Sequence, residues 1–143
     1  MSGFLLPVDD NPLTQPFWDG CKRGELLVQR FTTSGRLVWT PRPMDPHSGT
    51  LDYQWVPMSG KATVWSYVIP HPPLLPAYSE LAPFNVIVVA LDDDPSIRMV
   101  GNLVEGPDAP LNSVDPHRIE IGEPVQVVFS PVDDMVIPRW ARP

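Results

Sequence analysis

The chain has 143 residues and a formal net charge of −7, which allows one domain with at most a small appendage. Its acidic balance argues against a general nucleic-acid binder, whose affinity rests on neutralising phosphates. Hydrophobic residues make up 43% and charged residues 19%, enough apolar material for a core. Proline is the anomaly at 20 residues. It lacks an amide donor and fixes φ, so long helices are excluded over most of the chain. The single cysteine, Cys21, rules out an internal disulfide framework and a multi-cysteine zinc site. No apolar run approaches the ~20 residues of a membrane span. The first residues lack a basic stretch followed by an apolar one, so no signal peptide is expected and the expected location is the cytoplasm.

Residues 1–13 read as an extended arm broken by Pro7 and Pro12. Thr14 is placed to cap a short helix, with Pro16 in its first turn and Phe17, Trp18 and Cys21 as an apolar stripe. Cys21 then reads as a small buried hydrophobe. Glu25–Arg30 and Arg36–Thr40 form a predicted hairpin around the Thr33-Ser34-Gly35 turn. Ser48-Gly49 is a second turn, and 51–56 a third strand with Leu51, Tyr53 and Trp55 alternating. Gly60–Ile69 is the clearest strand of all, with Ala62 and Val64 on one face and Thr63, Trp65 and Tyr67 in the opposite register.

The proline-rich stretch 70–83 must be an irregular loop, too long to be a mere connector, and such loops often carry function. Asn85–Leu91 is a continuous apolar run, expected to be buried on both faces. Asp92-Asp93-Asp94-Pro95 makes a turn, and Ile97–Val104 pairs back. After a polar loop, Val125–Phe129 and Met135–Trp140 complete the set. Five strands after residue 58 with turns between them predict a small barrel.

Charge is uneven along this order. Between Asp92 and Asp134 lie ten acidic and two basic residues, whereas 22–43 holds five basic residues and one acid. Two differently solvated faces would explain this. So would a basic stretch that meets an anion or an acidic partner.

Several local motifs occur in a specific order: Phe17-Trp18-x-Gly20, Gly24-Glu25-Leu26, Gln29-Arg30, Pro41-Arg42-Pro43, Asp52-Tyr53-x-Trp55, Gly60, Val64-x-Ser66-Tyr67 and Ile137-Pro138-Arg139. In this order and spacing, over roughly 14–142, the chain resembles the DUF35 family. The resemblance implies an all-β protein with a short N-terminal helix, zinc-ribbon-like hairpins and a five-stranded OB-fold barrel. The corresponding divisions are 1–24 (arm and helix), 25–57 (ribbon) and 58–143 (OB-fold). It also implies a non-catalytic partner of a thiolase-superfamily enzyme acting on acyl-coenzyme A, with a steroid side-chain aldolase as the specific expectation.

The departure from the family is informative too. A ribbon of this family carries two Cys-x-x-Cys-Gly knuckles. Here those segments are Phe31-Thr32-Thr33-Ser34-Gly35 and Asp45-Pro46-His47-Ser48-Gly49, so the four ligand positions hold Phe31, Ser34, Asp45 and Ser48. Thiolate sulfur suits a closed tetrahedral zinc site; hydroxyls and a phenyl ring do not. Asp45 and His47 alone make a poor tetrahedral set, so no metal is expected. Hairpin pairing and apolar packing should then hold the ribbon, with Phe31 in the former metal position. Docking to a partner or to the barrel would replace the stabilisation a structural ion supplies.

No catalytic constellation is readable. His47, His71 and His117 each sit beside proline, and no nucleophile elbow, phosphate loop or His-Glu-x-x-His occurs. Asp93/Asp94 and Asp133/Asp134 read as solvated turn residues. As a shared ligand, a coenzyme A thioester would seek guanidinium groups at its phosphates and an apolar channel for its arm. The candidate contacts are Arg30, Arg36, Arg42, His71, Phe84, Arg139 and Trp140; for each, a plain structural role is the competing reading, Trp140 as a cap on the barrel. The expected partners are a thiolase-like enzyme subunit and acyl-CoA, with a homodimer inside a hetero-oligomer as one assembly, and no membrane. The alternative function is single-stranded nucleic-acid binding by the OB-fold, which needs a basic groove with interleaved aromatics. The acidic strands after Asp92 oppose it.

Overall fold

A computed structural model describes residues 2–8 and 10–143. Helix α1 (Gln15–Lys22) starts behind Thr14 with Pro16 in its first turn, where a missing amide costs nothing. Thr14 occupies the cap position, but its side chain makes no cap hydrogen bond. The preceding turn does that work instead: the amides of Thr14 and Gln15 donate to the Asn11 carbonyl at 3.1 and 2.9 Å. Phe17, Gly20 and Cys21 form the buried face of the helix. Gly20 is needed there, because a Cβ at this position would lie 2.8 Å from Leu27 Cδ1.

Strands β1 (Leu27–Phe31), β2 (Leu37–Val38) and β3 (Tyr53–Pro57) form an antiparallel sheet in the order β2-β1-β3. The return strand expected over Arg36–Thr40 is only two residues long. Beyond Val38 a side chain takes over from the ladder: buried Gln29 donates from Nε2 to the Arg42 carbonyl at 2.9 Å and accepts from the Arg42 amide at 2.7 Å.

The second sheet holds β4 (Lys61–Val68), β5 (Val86–Leu91), β6 (Arg98–Gly101), β7 (Pro124–Val132) and β8 (Met135–Ala141), in the order β6-β5-β4-β7-β8. β4 pairs with β7 over Lys61–Thr63 along one edge and with β5 along the other, where a register shift at Trp65, between Val64 and Ser66, marks a bulge. The expected strand Ile97–Val104 ends at Gly101 because the chain then crosses to β8. Leu103 bridges Trp140 in parallel, the Val104 amide donates to the Trp140 carbonyl at 2.8 Å, and the Trp140 amide donates to Asn102 at 3.0 Å. These bonds close the curled sheet, and the architecture is the all-β, five-stranded OB-fold.

Asn85 completes the closure. Its side chain is fully buried and imitates a strand, donating to the Leu103 carbonyl at 2.8 Å and accepting from the Leu103 amide at 2.7 Å. One continuous core joins both sheets: Phe17, Cys21, Leu26 and Val28 cluster with Val64, Ile87, Val89, Leu103 and Trp140. The β4–β5 connection contains a single turn of helix, α2 (Pro76–Ser79), where irregular structure was expected. Pro76 can open such a turn for the same reason that Pro16 opens α1. Among the described residues, no helix is long and apolar enough to cross a membrane.

Candidate functional site

The two knuckle turns come together, and hydrogen bonds join them. Asp45 is wholly inaccessible to solvent. Its Oδ2 accepts from the Ser34 hydroxyl at 2.6 Å and from the Ser48 hydroxyl at 2.7 Å, while its Oδ1 accepts from the His47 amide at 2.9 Å. Three of the four ligand positions named from the sequence thus form one polar cluster. The fourth, Phe31, is fully buried and packs on Tyr53 with ring centroids 5.3 Å apart. Gly35 and Gly49 both have positive φ and complete the turns, their amides donating to the carbonyls of Phe31 and Asp45. Burial pushes the Asp45 carboxyl up, but the bonds from Ser34, His47 and Ser48 outweigh it and hold the group at about 2. Among the described residues, no three His, Cys, Asp or Glu side chains gather as a metal site.

A cleft of about 660 Å³ opens where α1, the end of β2, the 70–84 segment, β6 and β8 meet. Trp18, Trp39, Tyr78, Phe84 and Trp140 supply its aromatic walls, and among the described residues no charged side chain lines it. Trp140 is 1% exposed, so it is a core residue that shows one edge to the cleft. Gly101 permits this: a Cβ there would lie 2.9 Å from Trp140 Cδ1. Tyr78 is held from the far side, its hydroxyl accepting from the Leu5 amide at 3.1 Å and its ring lying 5.0 Å from Phe4.

Of the candidate contacts read from the sequence, Phe84 and Trp140 lie together on this cleft. Arg30, Arg36, Arg42 and His71 are exposed and outside its lining. The Arg36 guanidinium sits 3.3 Å from His47 Nδ1, on the knuckles. Arg139 is buried beside the cleft wall, 8% exposed. Sequence reasoning did not single out Trp18, Trp39, Tyr78 or Gly101 for this site. The available signal was an aromatic residue near a proline break, at Trp39 before Pro41 and at Tyr78 after Pro76. Cys21 carries no nucleophile, since burial pushes its thiol up to about 12.

The fold and its polar turns define a class: an OB-fold preceded by a three-stranded antiparallel sheet whose two turns are joined by a hydrogen-bonded cluster. Residues 55–130 match the family model described as the ChsH2 C-terminal OB-fold domain, and the chain belongs to the DUF35 family. It is 32% identical over 124 residues to a 3-oxo-4,17-pregnadiene-20-carboxyl-CoA hydratase alpha subunit of Mycobacterium tuberculosis, covering 87% of this chain and 36% of that protein. A probable enoyl-CoA hydratase alpha subunit of Thermomonospora curvata is 34% identical over 110 residues, 76% of this chain and 31% of that protein. The chain therefore spans about a third of the length of these curated relatives. Among solved structures, an Ltp2-ChsH2(DUF35) aldolase chain superposes with a TM-score of 0.80 at 28% identity, covering 95% of this chain and 98% of that one. A DUF35 protein of unknown function from Sulfolobus solfataricus shares the fold, with a TM-score of 0.61 at 14% identity over 93% of this chain and 87% of that one.

Proposed function

We propose that this chain is a non-catalytic accessory subunit in the cytoplasm that docks on a thiolase-superfamily enzyme, specifically a steroid side-chain aldolase, and supports binding of its acyl-CoA substrate. The observation that carries this reading is the superposition, along nearly the whole chain, on the DUF35 component of an aldolase. Two features of the molecule support it. The cleft is large and aromatic, and among the described residues its lining carries no His, Cys, Lys, Asp or Glu, which suits an apolar group. The arginines of the ribbon, Arg30, Arg36 and Arg42, are exposed to meet phosphates or an acidic partner surface, Arg36 from beside His47. Phe84 and Trp140 are the proposed apolar contacts. The net charge of −7 and the uncharged cleft weigh against single-stranded nucleic acid.

The test is co-expression with a thiolase-like aldolase subunit. The two should co-elute, and carbon–carbon cleavage of an acyl-CoA should need both. The reading is overturned if the chain elutes alone beside a folded partner, or turns over a thioester without one.

A further inference from the structure

Two buried donors on one face of the β7–β8 hairpin have no acceptor. Across that ladder Ser130 pairs with Ile137 and Val128 with Arg139. Partners in an antiparallel pair share a face, as do residues two apart on a strand. Ser130 and Arg139 therefore lie on the same face, one diagonal step apart. Ser130 is fully buried and Arg139 is 8% exposed. Ser130 Oγ and Arg139 Nε are shielded from solvent, and among the described residues neither has a hydrogen-bond partner.

The charge is uncompensated as well. Burial disfavours the charged guanidinium. Among the described residues no carboxylate pairs with Arg139. The hairpin's own acids, Asp133 and Asp134, lie in its turn, and Asp133 is engaged there by the Ser2 amide and hydroxyl at 2.9–3.2 Å. A buried guanidinium Nε–H without an acceptor is costly, and buried donors are otherwise satisfied by protein, ordered water or an ion. A water molecule would serve the hydroxyl and leave the charge unanswered. An oxyanion answers both, since the guanidinium fork fits carboxylate and phosphate oxygens alike. The cleft borders this face: Tyr78, Ile137 and Pro138 are part of its wall, while Ser130 and Arg139 lie behind the lining.

We propose that Arg139, with Ser130 beside it, is a binding site for one compact oxyanion, a carboxylate or a phosphoryl group. The site stands on the isolated chain, whether or not that chain docks on an enzyme.

The test is thermal unfolding of the full chain in sodium chloride, acetate or phosphate at equal ionic strength, for the wild type, Arg139→Met and Ser130→Ala. The wild-type Tm should rise by several degrees in acetate, phosphate or both, and the anion that works tells carboxylate from phosphoryl. Arg139→Met should lose this increment while unfolding in chloride no earlier than the wild type, because its uncompensated charge is gone. Ser130→Ala should keep part of the increment. Equal increments in the wild type and Arg139→Met would mean a general salt effect and overturn the site, as would no increment in either anion. In the wild type, the Arg139 Nε–H resonance read by 15N NMR should move on adding the effective anion, and a resonance that stays in place overturns the site without any variant. A chain that passes the partner test and fails here keeps its accessory role and loses only this site.

Discussion

The Ser34 hydroxyl donates to Asp45 Oδ2 at 2.6 Å and so ties the two knuckle turns together across eleven residues of chain. In a zinc ribbon the ion makes that connection. Here a carboxylate with two serine hydroxyls and one amide on it does the same job with hydrogen bonds to a charged acceptor, which are stronger than neutral ones. The folded carboxyl sits at about 2, below its ordinary 3.8. Folding therefore favours the ionised form. The stability it contributes is complete above the ordinary value and is lost as pH falls through the folded one. Asp45→Asn should be less stable than the wild type at neutral pH, and the gap between their urea midpoints should close as pH falls from about 4 to about 2. A gap that stays constant across that window would separate Asp45 from knuckle stability.

Asn85 offers a second test, in the barrel closure. It satisfies both backbone groups of Leu103 from a fully buried position. Asn85→Ala leaves an amide and a carbonyl without partners, at about 2–4 kcal/mol. Asn85→Asp should cost at least as much, because it sets a carboxylate against the Leu103 carbonyl. Urea unfolding reads both variants, and amide exchange at Leu103 and Val104 should accelerate well before global unfolding.

Cys21 tests the helix–ribbon seam. Burial raises its thiol from 9.0 to about 12, so at neutral pH it is protonated and slow to react. A thiol-reactive disulfide reagent should label it only on unfolding. The sign is opposite to that of Asp45: the fold excludes the thiolate, so stability is complete below the ordinary thiol value and falls as pH rises from about 9 toward 12. Cys21→Ser should remove the slow labelling and cost stability through an added buried hydroxyl.

How far the sequence reached follows from what each element depends on. β4, β5, β7 and β8 were legible because their burial alternates or runs apolar within a few residues. β2 was overestimated because Gln29, on another strand, uses its side chain to end the pairing. The knuckle positions could be named only through the family resemblance, and the glycines marked both turns. That Ser34, Asp45 and Ser48 would bond to one another was not legible, since it needs the two turns to meet in space. The cleft was the least legible feature. Its walls come from residues as far apart as Trp18 and Trp140, and no local pattern joins them. Candidate contacts chosen for charge, Arg30, Arg36 and Arg42, lie on the ribbon surface; those chosen as aromatic, Phe84 and Trp140, line the cleft.

That distinction makes Gly101 and Trp140 the sharpest probe of the cleft. The Trp140 indole packs where a Cβ on residue 101 would come within 2.9 Å of Cδ1 and 3.0 Å of Nε1. Gly101→Ala must therefore push the ring or bend β6, at about 1–3 kcal/mol. Trp140→Ala should cost about 3–5 kcal/mol, as it empties the core beside Leu103. If the cleft holds an apolar group, Gly101→Ala should weaken binding of an acyl-CoA more than it weakens binding of coenzyme A alone, because the displaced ring narrows an apolar space and touches no phosphate contact. Quenching of tryptophan fluorescence measures this, since Trp18, Trp39 and Trp140 all line the cleft. Equal loss for both ligands would mean that the acyl group lies elsewhere.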